Sequence, residues 1–123
     1  PSKKDLKEVL FAFHVCKFVK SNAIVICKDL STIGIGSGQT SRLDSCEIAV
    51  NKVHKFKNNQ NNESTYAASD AFFPFTDGIE KLVVSGVTSV IQPSGSIRDR
   101  EIIKFANKSR ISLIFSKTRH FKH

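Results

Sequence analysis

No apolar run in this 123-residue chain approaches the roughly 20 residues needed to cross a bilayer. The Lys-rich start leads into an amphipathic pattern and not into a leader with a small-residue cleavage site. A membrane partner is therefore not expected, and a cytoplasmic location is. Cysteine is scarce too. Cys16, Cys27 and Cys46 are odd in number and far apart, with no C-x-x-C pair, which argues against a disulfide framework and against a zinc site. Three reduced, partly buried thiols are the expectation. Acidic residues are in the minority, 11 against 19 Lys and Arg, for a net charge of +8. The length suits one domain, residues 1–123, with a single core, and is too short for two.

Clustered Lys and Arg attract phosphate backbones by counterion release, so the basic balance raises a nucleic-acid-binding module as one reading. Here the charges are scattered. Lys3, Lys4, Lys7, Lys17 and Lys20 belong to one expected helix, and Arg98, Arg100, Lys104 and Lys108 to another. The chain is rich in Lys, Asn, Ile and Phe together, the mixture an AT-biased coding sequence yields, and this compositional cause disfavours nucleic acid as a partner.

Leu6, Val9, Leu10, Phe13, Cys16 and Val19 recur at three- and four-residue spacing, which predicts a helix from about Asp5 to Lys20 with Asp5 as its cap. Ala23 to Cys27 reads as a buried strand, Asp29 and Leu30 as a turn, and Thr32 to Ile35 as the hairpin partner. A second amphipathic helix is expected from Ser41 to Lys55, with Leu43, Cys46, Ala49, Val50 and Val53 on one side. The polar run from Asn58 to Ser64 is a solvated connection. After it come a short strand at Tyr66 to Ala68, a helix at Asp77 to Ser85, a strand at Ser89 to Gln92, a helix at Arg98 to Lys108 and a strand at Ile111 to Phe115. Alternating strands and helices argue for an α/β fold, with a largely parallel sheet covered on both faces.

Between the strand and the helix lies Ser69-Asp70-Ala71-Phe72-Phe73-Pro74-Phe75-Thr76-Asp77, three phenylalanines around a proline, bracketed by aspartates. A buried strand avoids an internal proline, which removes a ladder donor and fixes φ. The run reads as a shaped loop at the mouth of an element, with aromatic faces suited to a flat ligand. Earlier, Gly34-Ile35-Gly36-Ser37-Gly38 ends a strand and opens a helix. It lacks the G-K-[ST] of a phosphate loop, so its spacing favours a tight connection over anion binding.

These motifs carry a resemblance. Lys20-Ser21-Asn22-Ala23-Ile24-Val25, the glycine run continuing through Gln39-Thr40-Ser41-Arg42, the aromatic loop, Ser85-Gly86-Val87, Pro93-Ser94-Gly95-Ser96 and the terminal Arg119-His120-Phe121-Lys122-His123 resemble, in order, the C-terminal end of the AICAR transformylase family. That family is the folate-dependent part of bifunctional purine biosynthesis enzymes, and the short Asn-rich join before Ser69 is more like its bacterial members. The chain is much shorter than such an enzyme and begins with Pro1, so a C-terminal fragment or processed chain is expected, lacking the N-terminal side. The resemblance implies the second copy of a cytidine-deaminase-like fold, a three-layer α-β-α sandwich with a mixed, mostly parallel sheet. The H-x-E and P-C-x-x-C zinc ligands of deaminases are absent, and no zinc is expected.

By the same resemblance Asn22, Arg42, Phe72 and Arg119 contact the ribonucleotide, Asn22 by reading a carboxamide. Leu43, Asp77, Ser96 and Ile97 meet the folate, Pro74, Phe75, Phe121 and His123 support the site, and Asp70 lies near a monovalent cation, potassium. Read without the family, Asn22 is a turn residue, Arg42 a surface arginine, Asp77 a helix cap and the basic tail a frayed end. The implied reaction moves formyl from 10-formyltetrahydrofolate to AICAR, whose amine is a poor nucleophile, so catalysis must remove a proton and hold two flat reactants in register. The family uses a Lys-His pair ahead of an Asn-Pro-x-Gly type sequence, which is not found here. No catalytic residue is expected in this chain, and little turnover from it alone. Its expected partners are the rest of the enzyme and a second subunit in a homodimer, and in isolation the exposed packing surface favours self-association. A degenerate, non-catalytic subunit is the other reading.

Overall fold

The computed structural model describes residues 2–56, 64–93 and 99–116. Among these the chain runs α1 (Lys3–Cys16), β1 (Ile24–Lys28), β2 (Ser31–Gly36), α2 (Arg42–Phe56), β3 (Thr65–Ser69), α3 (Thr76–Val84), β4 (Val87–Pro93), α4 (Asp99–Ser109) and β5 (Ser112–Ser116). The helix start differs from expectation. Ser2, not Asp5, is the N-cap of α1, and Asp5 sits three residues on, completing a reciprocal capping box. The helix also stops at Cys16, where successive turns carry the chain through Phe18 and Val19. Val19 keeps its apolar spacing but packs from outside the helix.

The sheet order is β2-β1-β3-β4-β5. β1 pairs antiparallel with both neighbours, while β3-β4 and β4-β5 are parallel. Four strands therefore point one way and β1 alone is reversed, a mixed and mostly parallel sheet. The tight β1-β2 hairpin explains the reversal. Asp29 and Leu30 take consecutive positive φ values of 51° and 56°, as a twist-matched two-residue hairpin turn requires, and the Leu30 N–H donates to the buried Glu8 carboxylate at 2.9 Å.

Side-chain alternation along the strands divides the core in two. Ile24 and Ile26 of β1 join Ala49 and Val53 of α2, Ile79 and Leu82 of α3, and Ile102 of α4 on one face. Val25 and Cys27 join Val9, Phe13 and Cys16 of α1 on the other, with Tyr66, Ala68 and Ile91. This is the expected three-layer sandwich. Central β3 is buried along its whole length, which its small residues permit. The basic residues of α1 and of α4 consequently lie on opposite faces of the sheet and do not converge.

Candidate functional site

Four stretches of chain meet where β1 begins and β3 ends. The loop before α2 is held against residues 20–22. Gly38 has φ 68° and its N–H donates to the Lys20 carbonyl at 3.0 Å, a backbone conformation suited to glycine. Gln39 then accepts twice on its carbonyl, from the Asn22 backbone N–H at 3.4 Å and from Asn22 Nδ2 at 2.9 Å. Ser41 caps α2 through the Asp44 N–H at 3.0 Å. Arg42, the first helical residue, is thereby aimed at the end of β3.

Its guanidinium is the hub. Arg42 Nη1 donates to Ser69 Oγ at 3.1 Å and to Asp70 Oδ1, and Nη2 donates to Asn22 Oδ1 at 2.8 Å. Ser21 Oγ donates to the other Asp70 oxygen at 2.6 Å. The Asp70 side chain is fully buried and that of Arg42 is 9% exposed. An ion pair so deeply placed is held by its extra hydrogen bonds as much as by attraction, and it cancels its own charge. The site thus offers hydrogen bonds more than a net positive field.

Asn22, Thr40, Ser41, Arg42, Ala71, Phe72 and Pro74 line a cavity of about 440 Å³. Of the expected ribonucleotide residues, Asn22, Arg42 and Phe72 are brought together here, and Pro74 with them. Asp70 stands behind as the partner of Arg42. Phe73 of the same loop goes the other way, buried in the core against Gly78 and donating its N–H to Gln92 Oε1 at 3.4 Å. Phe75 is half exposed as the N-cap residue of α3. Asp77 follows in that first turn, exposed, its carboxylate accepting from the Gly78 N–H at 2.8 Å. It favours the helix by its charge near the N-terminus and is not the N-cap. Leu43 is half-buried beside Arg42. Leu43, Phe75 and Asp77 do not line the cavity. Ser96, Ile97, Arg119, Phe121 and His123 lie outside the described residues.

Three features were not legible beforehand. Among the described residues the Asn22 amide spends one of its two N–H groups on Gln39 and one of its two lone pairs on Arg42. Three of the five guanidinium N–H groups of Arg42 are spent on Ser69, Asp70 and Asn22 among the described residues. Ser21, Ser45 and Ser69, which complete the network, gave no sequence signal beyond adjacency to Asn22 and Asp70 and, for Ser45, a place one turn after Arg42.

The family described as AICARFT/IMPCHase bienzyme matches residues 1–52. The bifunctional purine biosynthesis protein PurH of Buchnera aphidicola subsp. Schizaphis graminum is 53% identical over 123 residues, 100% of this chain and 23% of that protein. PurH of Persephonella marina is 49% identical over the same length, covering 24% of that protein. The chain thus spans about a quarter of the length of these relatives. Among solved structures, Acinetobacter baumannii RibD superposes with a TM-score of 0.57 at 14% identity, over 92% of this chain and 35% of that one. A Thermotoga maritima diaminohydroxyphosphoribosylaminopyrimidine deaminase/reductase does so with a TM-score of 0.54 at 13% identity, over 92% and 34%. At such identities the likeness concerns the fold, which is cytidine-deaminase-like. With its motifs in order and close to half or more of its residues shared with PurH along the whole length, the chain belongs to the AICARFT/IMPCHase bienzyme family, as a segment of it.

Proposed function

We propose that this chain is a ligand-binding segment of a folate-dependent formyltransferase of purine biosynthesis, moving formyl from 10-formyltetrahydrofolate to AICAR. The observation that carries the proposal is the convergence of Asn22, Arg42 and Phe72, far apart in sequence, on one cavity of about 440 Å³. The N–H and lone pair of the Asn22 amide that no described residue takes match a carboxamide, which donates and accepts in the same way. The Phe72 ring offers a face to a flat heterocycle. The Arg42–Asp70 pair is neutral as a unit, which suits the uncharged base of the ligand better than its phosphate. Arg119 belongs to the same ribonucleotide site in this proposal. Leu43, Asp77, Ser96 and Ile97 form the folate side, with Pro74, Phe75, Phe121 and His123 in support.

Both oxygens of the fully buried Asp70 carboxylate are already taken, Oδ1 by the Arg42 guanidinium and Oδ2 by the Ser21 hydroxyl at 2.6 Å, so this carboxylate does not fit the potassium ion that the resemblance places near it, and no potassium is part of the proposal. The amine of AICAR must lose a proton as it attacks. That work falls to residues in the rest of the enzyme, since the Lys-His motif of the family is not in this sequence. The remaining polypeptide and a second subunit in the cytoplasm are the proposed partners. Nucleic acid draws no support from the fold, because the basic helices face apart.

The test is calorimetric titration with AICAR of a full-length enzyme in which this chain replaces the matching quarter of the Buchnera relative. Saturable binding that weakens at least about fivefold in Phe72→Ala supports the proposal. A folded chimera that does not bind AICAR, or binds it equally well without the Phe72 ring, rejects it.

A further inference from the structure

We infer that Ser45 and Gly36 are positioning residues for Asn22, so that the glycine-rich end of β2 serves the cavity through α2 and not by touching a ligand itself. The inference rests on the reading of Asn22 as a ligand contact.

Gly34 and Gly36 are both buried on β2. A Cβ at Gly36 would run into the backbone carbonyl of Ser45, and one at Gly34 into that of Ala49. Only glycine admits a backbone this close. The helix therefore lies directly on the strand along its first two turns, at a depth that any side chain at position 36 would change. That depth decides what α2 can reach. Ser45, fully buried, donates its Oγ hydrogen to the Asn22 backbone carbonyl at 2.6 Å. Arg42, one turn earlier on the same face, donates to Asn22 Oδ1 at 2.8 Å. Gln39, in the loop that delivers α2, accepts from Asn22 Nδ2 at 2.9 Å.

Asn22 is thus held at its backbone N–H, its backbone carbonyl and both ends of its amide, and two of these four holds come from α2 while the other two go to the Gln39 carbonyl. A hydroxyl hydrogen bond has little reach beyond about 3.0 Å, so a helix displaced by the width of a methyl group loses the Ser45 contact first. The amide would then turn with its backbone, and the N–H and lone pair it offers would no longer face the cavity in a fixed direction. This gives the Gly34-Ile35-Gly36 run a use that phosphate binding does not. Its glycines are packed under a helix, and the cation beside it is matched by Asp70.

The experiment is steady-state kinetics on the full-length chimera, with AICAR affinity measured in parallel by calorimetry. Ser45→Ala is expected to raise the AICAR KM and Kd about fivefold to tenfold while kcat and the folate KM stay within about twofold. Gly36→Ala is expected to act in the same direction; should that variant fail to fold, Ser45→Ala carries the test. In an Asn22→Ala background, Ser45→Ala should add less than about twofold, because the two act as one unit. A uniform loss of activity at unchanged AICAR KM, an equal rise in both KM values, or additive effects in the double variant would overturn the inference. If Asn22→Ala weakens AICAR and Ser45→Ala does not, the inference alone falls. If Asn22→Ala leaves AICAR binding unchanged, the reading of Asn22 falls, and the inference with it.

Discussion

Arg42 holds the Asp70 carboxylate and, in the proposed function, meets the ligand, and a substitution there tests both. Its removal leaves the Asp70 carboxylate fully buried without a countercharge, which costs roughly 3–5 kcal/mol. Arg42→Ala is therefore expected to shift the urea midpoint of the chain strongly downward, and lost ligand affinity in that variant means something only beside a measured folded fraction. The thiols are simpler. Burial pushes Cys27 and Cys46 up to about 12, and Cys16 higher still in the same direction, so none supplies thiolate near neutral pH. Iodoacetamide at pH 8 should leave all three unlabelled in the native chain and label all three in urea, as read by mass spectrometry.

The pairing of Tyr66 with Asp5, at 2.8 Å, ties the start of α1 to the central strand and is sensitive to pH at both ends. The Tyr66 hydrogen bond holds Asp5 below its ordinary 3.8. A carboxylate depressed in the folded state contributes stability above its unfolded value and loses it as pH falls through 3.8 and below. Burial, with the Asp5 hydrogen bond second, pushes Tyr66 from 10.0 up to about 12. A group raised on folding contributes stability below its unfolded value, and here that is lost as pH climbs from 10.0 toward 12. Tyr66→Phe should flatten both limbs of a plot of urea midpoint against pH.

At the scale of elements, the contact between α2 and β2 is the most demanding. Gly34 lies under Ala49 as Gly36 lies under Ser45, but Gly34 sits farther from Asn22, so it separates packing from ligand positioning. Gly34→Ala is expected to destabilise by about 2 kcal/mol through overpacking, seen as a lower melting temperature, with AICAR affinity of the folded chimera changed far less than in Gly36→Ala. The aromatic loop shows the same division of labour between neighbours. Phe72 lines the cavity, Phe73 is 1% exposed in the core and Phe75 is 51% exposed at the head of α3. Three rings of identical type within four residues have three different surroundings, because Pro74 and the entry into α3 turn the chain between them.

For the molecule as a whole, the chain makes up about a quarter of its relatives, and the proposed function assigns binding to its residues and proton removal to the rest of the enzyme. The expected outcome is no formyl transfer by the 123-residue chain alone and measurable transfer by the chimera, followed by the absorbance of released tetrahydrofolate. Turnover by the isolated chain would place the proton-removing group among its own residues and reject this division. No helix among the described residues is long and apolar enough to cross a membrane.

The sequence by itself determined the elements. Apolar spacing located every helix and strand to within a few residues, because the side chains of one face of a helix or strand are set by local periods of 3.6 and 2. It also pointed to Asn22, Arg42 and Phe72 as one site, through motifs whose order matches a family. Only the tertiary structure decided what those residues do to one another. That β1 runs against its two neighbours, that Asp70 is spent on Arg42 from 28 residues away, and that glycines of β2 seat the helix holding Asn22 are all long-range facts. They depend on which surfaces close on which once the sheet forms, and no local pattern carries that information.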